Sequence, residues 1–343
     1  MPFSETSATF ASTELKGSND LHHTYFDTDR EKVLDSWIKN AKGLVSKIQS
    51  KQNPKQKPFI FFHVRKAAGS SLRYVISRSA SMNNFTHWIP CFHPRACKPF
   101  TSPPSNKLHE VYGSHVNYME ISHVLLDLSF AHNGRSETIQ KKMKTLKLEN
   151  KTAKIYEFDY KEPEFNCLTN LRETVKRVVS CWNYRMTRTA PNFFQIPTAN
   201  QMTPKDWETL LPTAYDFYSS GCNNELARIF GSLDEVEVNK LNSDTPGFLH
   251  EFELIASRMS KCVIIIAERC EESNSVVRHY LPWVEVNLCE THHNSAKTTD
   301  NKVLQENASE AILSQNMIDE MLFKLGEALF EEQIQAALNA SNT

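Results

Sequence analysis

The sequence predicts a three-layer α/β fold in which a central, mainly parallel sheet is flanked by helices. Short apolar runs of strand length alternate along the chain with longer segments whose apolar residues recur at helical spacing. Strands that are separated by helices favour a parallel sheet. In such sheets, ligand sites lie at the carboxyl ends of the strands.

The composition is that of a globular protein without a strong charge of either sign. Hydrophobic residues make up 40% and charged residues 23% of the 343 positions, and the formal net charge is −1. This near-neutral balance argues against nucleic-acid or membrane-surface partners. No stretch approaches the roughly 20 apolar residues of a membrane span, so no transmembrane segment is expected.

The most informative stretch is residues 59–71, which read Phe-Ile-Phe-Phe-His-Val-Arg-Lys-Ala-Ala-Gly-Ser-Ser. An apolar run gives way to a lysine, a glycine and two hydroxyl groups, and a helical pattern begins directly afterwards. We therefore expect a strand at 58–64, a tight loop, and a helix at 70–81.

The loop between this strand and helix is a candidate anion site. Helix N-termini present unpaired N–H groups and the positive end of the helix dipole, which suit a phosphate or a sulfate. Lys66 adds a mobile cation, and Ser70 and Ser71 add hydroxyl donors. An ordinary turn with a surface lysine is the alternative. Lys66 precedes Gly69, the only glycine of the loop, so neither the Walker pattern nor a Gly-x-Gly dinucleotide pattern is present.

A second strand-to-helix junction carries a second candidate anion site. Residues 166–171 read as an apolar strand, Arg172 stands at its carboxyl end, and a helix is expected over 173–188. Ser180 follows Arg172 by a little over two helical turns, so both can reach one pocket if the first turn is bent. An amphipathic helix with a buried serine would explain the apolar face but not the arginine.

The first junction resembles the 5′-phosphosulfate loop of the PAPS-dependent sulfotransferases, most closely that of the Golgi carbohydrate (heparan sulfate 2-O-like) family. The family loop runs roughly His-Ile-Pro-Lys-Thr-Gly-Gly-Thr-Ser. The matching positions are His63, Val64, Lys66, Gly69, Ser70 and Ser71. Arg65 replaces the proline of this pattern, and Ala68 replaces its first glycine.

The second junction is similar to the family's 3′-phosphate pattern, Leu-Arg-Asp-Pro-Val-x-Arg-x-x-Ser. It matches from Leu171 to Ser180, with Glu173 and Thr174 in place of Asp-Pro. Two weaker similarities follow in family order, at 221–231 (a helix with Asn-x-x-x-Arg-x-Leu-x-Gly) and at 263–273 (a late strand and an acidic helix start). Each of these two is also compatible with ordinary core structure. The whole resemblance covers residues 57–290.

The resemblance implies a P-loop-like fold and PAPS (3′-phosphoadenosine 5′-phosphosulfate) as sulfuryl donor, with no metal required. Lys66 would bridge the transferring sulfuryl group and the leaving 5′-phosphate, and Arg172 and Ser180 would hold the 3′-phosphate. Lys297 is a candidate second clamp. The implied cofactor-binding residues are Lys66, Ala67, Gly69, Ser70, Ser71, Arg172, Ser180 and Lys297.

Transfer to a hydroxyl group also needs a base, and histidine has the free pKa best suited to that role near neutrality. His115 is favoured because it stands at the tip of the expected second strand, 109–115, where family members place their base. His63 is expected to point into the sheet. The other candidates are His87, His93 and His109.

The remaining elements complete the α/β pattern. Helical periodicity is present over 29–50, further strands are expected at 154–159 and 262–267, and residues 85–107 hold too many prolines for regular structure. The other expected helices span 204–219, 221–230, 248–260, 270–280 and 301 to the end. The expected organisation is a disordered N-terminus (1–25), a helix and basic linker (26–57), the catalytic domain (58–300) and a C-terminal helical segment (301–343).

The eight cysteines contain no Cys-x-x-Cys pair. Cys167 and Cys181, beside the second junction, are expected to be buried free thiols that pack as small hydrophobes. Zinc binding by Cys91, His93 and Cys97 fits no standard spacing. The N-terminus lacks the apolar core of a secretory signal, so a cytoplasmic enzyme is expected, with the Golgi lumen as the alternative if a leader or anchor is missing.

The sequence therefore predicts a PAPS-dependent O-sulfotransferase that acts on a hydroxyl-bearing acceptor, either a glycan or a small metabolite. A non-catalytic protein that keeps the nucleotide pocket is one alternative, motivated by Arg65 and Ala68. A P-loop kinase is another, although no Walker lysine supports it.

Overall fold

A five-stranded sheet forms the centre of the protein, as a computed structural model shows. The model describes residues 27–90, 108–131, 162–188, 197–211, 222–233, 237, 245–285, 287–290 and 304–341. The strands are β1 (Phe59–Phe62), β2 (His87–Trp88), β3 (Val111–Ser114), β4 (Asn166–Leu171) and β5 (Val263–Ile266). Their order across the sheet is β2-β3-β1-β4-β5, and every neighbouring pair is parallel. The predicted fold class is confirmed.

Helices flank this sheet and fill the connections between its strands. They are α1 (Thr28–Lys39), α2 (Ala41–Val45), α3 (Gly69–Met82), α4 (Tyr118–Ala131), α5 (Thr174–Arg188), α6 (Pro204–Leu210), α7 (Thr245–Met259), α8 (Cys270–Tyr280), α9 (Ala308–Gln315) and α10 (Met317–Ser341). A π-helical turn spans Ala227–Gly231.

Several expected elements differ from those in the structure. The helical segment expected over 29–50 is divided into α1 and α2 at Asn40 and ends at Val45. The helix expected from residue 301 onwards is two helices, because the Asn316 side chain at the break bonds to the backbone of Asn224 and of Ile312. The helix expected over 221–230 begins only at Glu225, after Asn224 has turned the chain with φ 40°, and continues into the π-helical turn at Ala227. The segment expected to lack regular structure begins with β2, because its prolines start only at residue 90. The strand expected at 154–159 lies outside the described residues.

The sheet is buried on both faces, which gives the three-layer architecture. Phe59 packs edge-on against Trp283 on one face, with ring centroids 5.1 Å apart. Phe62 points to the other face, where it lies 5.0 Å from the ring of Phe230 and 6.0 Å from that of Tyr118 in α4. Complete burial of a phenylalanine contributes about 1.5–3 kcal/mol, so these strands anchor the core.

Helix α10 closes the open edge of β5. Gln333 is fully buried there, and its side chain accepts a hydrogen bond from the Ile264 N–H at 2.9 Å and donates one to the Cys262 carbonyl at 3.2 Å. These bonds satisfy backbone groups that a neighbouring strand would otherwise pair. Gly326 of the same helix lies against Leu171, and a side chain at that position would overlap the leucine.

Three disulfides cross-link the described residues: Cys167–Cys262, Cys181–Cys222 and Cys270–Cys289. The expectation of free thiols at Cys167 and Cys181 is therefore wrong. Cys167 precedes Leu168 in β4 and Cys262 precedes Val263 in β5, and because these two strands are paired in register, the cysteines lie side by side. The proposed zinc ligands of the 91–97 segment lie outside the described residues. Among the helices that the model describes, none is long and apolar enough to cross a membrane.

The sheet order creates a crevice between β1 and β4. The connection after β1 leads to β2 on one side of the sheet, whereas the connection after β4 leads to β5 on the other side. The loops at the carboxyl ends of two such strands diverge, and ligands of open α/β sheets bind in the gap between them. The two junctions of the sequence motifs, 63–68 and 172–173, border this crevice.

Candidate functional site

The loop after β1 has an unusual backbone conformation. Lys66 and Ala68 both have φ 62°, in the left-handed region, and Ala68 forms the N-cap of α3. A residue with a Cβ is strained there by about 1–2 kcal/mol relative to glycine. Ala68 stands where the sulfotransferase pattern has its first glycine, so this chain adopts a glycine-type conformation without the glycine.

A buried asparagine from β4 holds this loop in place. Asn170 accepts a hydrogen bond from the Val64 N–H and donates to the Val64 carbonyl, each at 3.0 Å, and it also donates to the Ala67 carbonyl. Because Asn170 is 1% exposed, it satisfies its polar groups only through the loop. The sequence interpretation missed this residue, although an asparagine inside an apolar strand is a recognisable signal.

The start of α3 packs closely on a histidine. Gly69 is its first residue, and a Cβ at that position would overlap the imidazole of His63. His63 is buried and stacks between Phe61, at a centroid distance of 5.6 Å, and His115, at 4.1 Å. Burial, followed by the charges of neighbouring side chains, holds the pKa of His63 well below its ordinary value. His63 is therefore neutral at physiological pH.

His115 lies at the carboxyl end of β3 and has the tautomer that a base requires. Its Nδ1 lies 3.2 Å from the carbonyl oxygen of His63. A carbonyl oxygen can only accept, so Nδ1 carries the proton and Nε2 keeps a lone pair. Burial, and then the positive charge of Arg65, lowers the pKa of His115 to about 3, while the Glu225 carboxylate opposes this shift.

Arg172 brings the two junctions together. Its Nη1 donates a hydrogen bond to the Lys66 carbonyl at 3.0 Å, and its Nε lies 3.4 Å from a carboxylate oxygen of Glu268. The Arg172 side chain is 31% exposed, so it contacts both the loop and solvent. Lys66 itself extends its ammonium over the ring of Tyr184 in α5, 4.2 Å from the ring centroid.

The remaining expected site residues are three serines and a lysine. Ser180 is half-buried in α5, one turn before Tyr184, and Ser71 is buried in the first turn of α3. Ser70 is the second residue of α3. Lys297 lies outside the described residues.

Two of the alternative base candidates lie away from this crevice. His87 begins β2, and His109 precedes β3, so both stand at the amino ends of parallel strands, opposite the end that carries Lys66. The topology therefore argues against either as the base. His93 lies outside the described residues.

One group of side chains has the spacing of metal ligands, but a disulfide explains this spacing. Cys270, Glu271 and Cys289 have their ligand atoms within 4.8 Å of one another. The two sulfurs form a disulfide, however, and a disulfide provides no thiolate to a metal.

The groups that border the crevice are of kinds that attract anions. A lysine, an arginine and the N-terminus of a 14-residue helix meet there, and all three favour phosphate or sulfate groups. No family model, no curated protein and no solved structure matches the chain.

Proposed function

We propose that the chain is a PAPS-dependent O-sulfotransferase that acts on a hydroxyl group of a glycan or a small metabolite. The observation that carries the proposal is the hydrogen bond from Arg172 Nη1 to the Lys66 carbonyl. It joins the two junctions whose patterns resemble the 5′-phosphosulfate and 3′-phosphate loops. They border one crevice, at the end of the sheet where such folds bind ligands.

The chain's own groups fit the chemistry of this reaction. PAPS, when bound, supplies the sulfuryl group and a phosphate leaving group. Lys66 and the N–H groups at the start of α3 would stabilise negative charge at the 5′ end, and Arg172 and Ser180 would hold the 3′-phosphate. His115, with its free Nε2, would accept the proton of the acceptor hydroxyl.

The pKa of His115 depends on the charges that lie near it. A nearby anion favours the protonated form of a histidine and raises its pKa, whereas Arg65 and burial lower it. We therefore expect donor binding to raise the basicity of His115 at the stage when a proton must be removed.

The disulfides support a secretory compartment over the cytoplasm. Cys167–Cys262 and Cys181–Cys222 join fully buried cysteines, and Cys270–Cys289 joins two half-buried ones. Such bonds persist in oxidising compartments and are rare in cytosolic proteins. Of the two locations considered from the sequence, we accordingly favour the Golgi lumen.

Transfer of radiolabelled sulfate from PAPS to a library of hydroxyl acceptors tests the proposal. We expect labelled product with the wild-type protein, none with Lys66→Ala, and a loss of about 10²–10⁴-fold in turnover with His115→Ala. His115→Ala should bind adenosine 3′,5′-bisphosphate almost as tightly as the wild type, because His115 acts on the acceptor.

The alternatives give different results in the same experiments. A non-catalytic binding protein would bind the bisphosphate and transfer no sulfate to any acceptor. A kinase would require magnesium and bind ATP in preference. Full activity of His115→Ala would remove this residue as the base.

A further inference from the structure

A buried network of charges connects the loop after β1 to the helix that carries Ser180. Its members, the Glu225 cluster, are Arg65, Arg177, Glu225, Asn316 and Asp319. The side chains of Arg177, Glu225 and Asp319 are each no more than 3% exposed. Two of its charges, Arg65 and Glu225, shift the pKa of His115, but the bonds within the cluster have no role assigned above.

Glu225 is the link between the loop and the rest of the cluster. One of its carboxylate oxygens accepts a hydrogen bond from the backbone N–H of Arg65 at 3.1 Å and lies 3.6 Å from the Arg65 Nε. The other lies 3.4 Å from Nη1 of Arg177 in α5. One carboxylate therefore bonds to both of the elements that border the crevice.

An ion pair and hydrogen bonds also fix the side of the cluster that lies against α10. Arg177 Nη2 lies 3.2 Å from the Asp319 carboxylate in α10, and Asp319 accepts the N–H groups of Leu226 and Ala227 at 3.1 and 3.0 Å. Asn316 accepts the N–H of Asn224 at 2.8 Å. The segment that carries Glu225 is thus held by backbone bonds on both sides of the glutamate.

Arg65 stands where the sulfotransferase pattern has a proline. A proline has no N–H and could not donate to Glu225, so the bond requires a residue other than proline at position 65. Arg65, which departs from the pattern, and the buried carboxylate of Glu225 are therefore the two partners of one hydrogen bond.

We propose that Glu225 is a positioning residue, which sets the spacing between the donor loop at Lys66 and helix α5 at Ser180 through its bonds to Arg65 and Arg177. The proposal rests on the proposed function for its consequence, the affinity for a bisphosphate nucleotide. The bonds by which Glu225 holds the loop do not depend on that function.

Four variants separate the hydrogen bond from the Arg65 N–H to Glu225 from the ion pair between the two side chains. Glu225→Ala removes both, and Glu225→Gln keeps an oxygen that can accept from the Arg65 N–H. Arg65→Ala keeps the N–H and removes the guanidinium, and Arg65→Pro removes both donors. Glu208→Gln, which breaks the exposed Lys205–Glu208 pair, is the matched control.

The first measurement is hydrogen–deuterium exchange of the peptide that contains Arg65, in folded protein without nucleotide. We expect exchange to be at least about tenfold faster in Glu225→Ala and Arg65→Pro than in the wild type. Glu225→Gln, Arg65→Ala and the control should stay close to the wild type. If Glu225→Ala does not fold, the flanking amides of the same peptide in Arg65→Pro give the test from the loop side, because the proline itself has no amide to exchange. Unchanged protection in the variants that fold would overturn the proposal.

The second measurement is calorimetric binding of adenosine 3′,5′-bisphosphate by the same proteins. We expect affinity to fall by about tenfold in Glu225→Ala and Arg65→Pro, and by less than about threefold in Glu225→Gln. An equal loss in Gln and Ala variants, or none in either, would overturn the positioning role. A wild-type protein that does not bind the bisphosphate would instead overturn the proposed function, and exchange at Arg65 would still decide whether Glu225 holds the loop.

A third readout distinguishes positioning from a merely structural role. The charged and titratable groups facing His115 are His63, Arg65, Arg73 and Glu225. An NMR titration of the His115 imidazole should give a lower pKa in Glu225→Gln and a higher pKa in Arg65→Ala than in the wild type. Shifts of the same sign in both variants would contradict an effect of these two charges and overturn the proposal.

Discussion

At the scale of single residues, the donor loop combines a strained backbone with a rigid framework. Lys66 and Ala68 adopt left-handed conformations, and Asn170 fixes the carbonyl of Val64, which precedes them, and that of Ala67, which lies between them. Such strain persists where the surrounding structure over-determines the backbone, and it concentrates at ligand sites. The loop is therefore shaped before any ligand binds.

Replacing Ala68 by glycine should stabilise the protein. The Cβ at φ 62° is strained, and glycine removes that strain, so the free energy of unfolding should rise by up to about 1 kcal/mol. Ala67→Gly is the matched control, because Ala67 is buried without a positive φ and the change should be destabilising. Urea unfolding measures both. A destabilised Ala68→Gly would contradict the strain.

Residue identity in the sequence predicted part of this site. Lys66 and Arg172 stand out because a cation after an apolar strand has no packing explanation. Asn170 and Glu225 were missed because their partners are backbone groups far away in the chain, at Val64 and Arg65. An asparagine inside an apolar strand marks Asn170 as unusual, but no local pattern gives the distant partner of either residue.

At the scale of elements, long-range contacts set the boundaries that local periodicity does not. The strand β4 and the helix α8 have the bounds expected from the sequence. The break between α9 and α10 was not expected, because apolar spacing continues across Asn316. Its side-chain bonds to Asn224, Ile312 and Arg177 mark the interruption. Disulfide pairing likewise depends on which strands and helices become neighbours.

The Cys181–Cys222 disulfide should contribute substantially to stability. It closes a loop between cysteines 41 positions apart, from α5 to the segment that leads to Glu225, and both cysteines are fully buried. Restriction of the unfolded chain by such a loop is worth about 2–4 kcal/mol. The Cys181→Ala, Cys222→Ala double variant should lose that amount in guanidinium unfolding without reductant. A loss below about 1 kcal/mol would show that the bond adds little to the packing around it.

At the scale of the whole molecule, the sheet order creates the site. A parallel sheet follows from the alternation of strands and helices, but the order β2-β3-β1-β4-β5 does not. In that order β1 and β4 are neighbours, and the connections that follow them lead toward opposite edges of the sheet. The order also brings His115 next to His63, through the pairing of β1 with β3.

The lowered pKa of the half-buried His115 should make stability depend on pH on the acid side. His115 has a pKa of about 3 in the folded protein, against an ordinary 6.5. As the pH falls below 6.5, His115 binds a proton in the unfolded chain but not in the folded protein. Stability is therefore lost between pH 6.5 and about 3. His115→Gln should lose less stability than the wild type in urea unfolding between pH 6.5 and 4, by up to about 1.4 kcal/mol per pH unit. Parallel curves for the two proteins would contradict a lowered pKa.

The central claim is that the loops at Lys66 and Arg172 hold opposite ends of one nucleotide, and calorimetric titration of two ligands tests it most directly. The ligands are adenosine 3′,5′-bisphosphate and adenosine 5′-monophosphate, and the proteins are the wild type, Arg172→Ala and the control Lys176→Ala, which removes an exposed cation of α5. We predict that Arg172→Ala weakens bisphosphate binding by about tenfold or more, and monophosphate binding much less, because one charge-assisted phosphate contact is lost. Equal losses for the two ligands, or no binding of the bisphosphate by the wild type, would contradict the account.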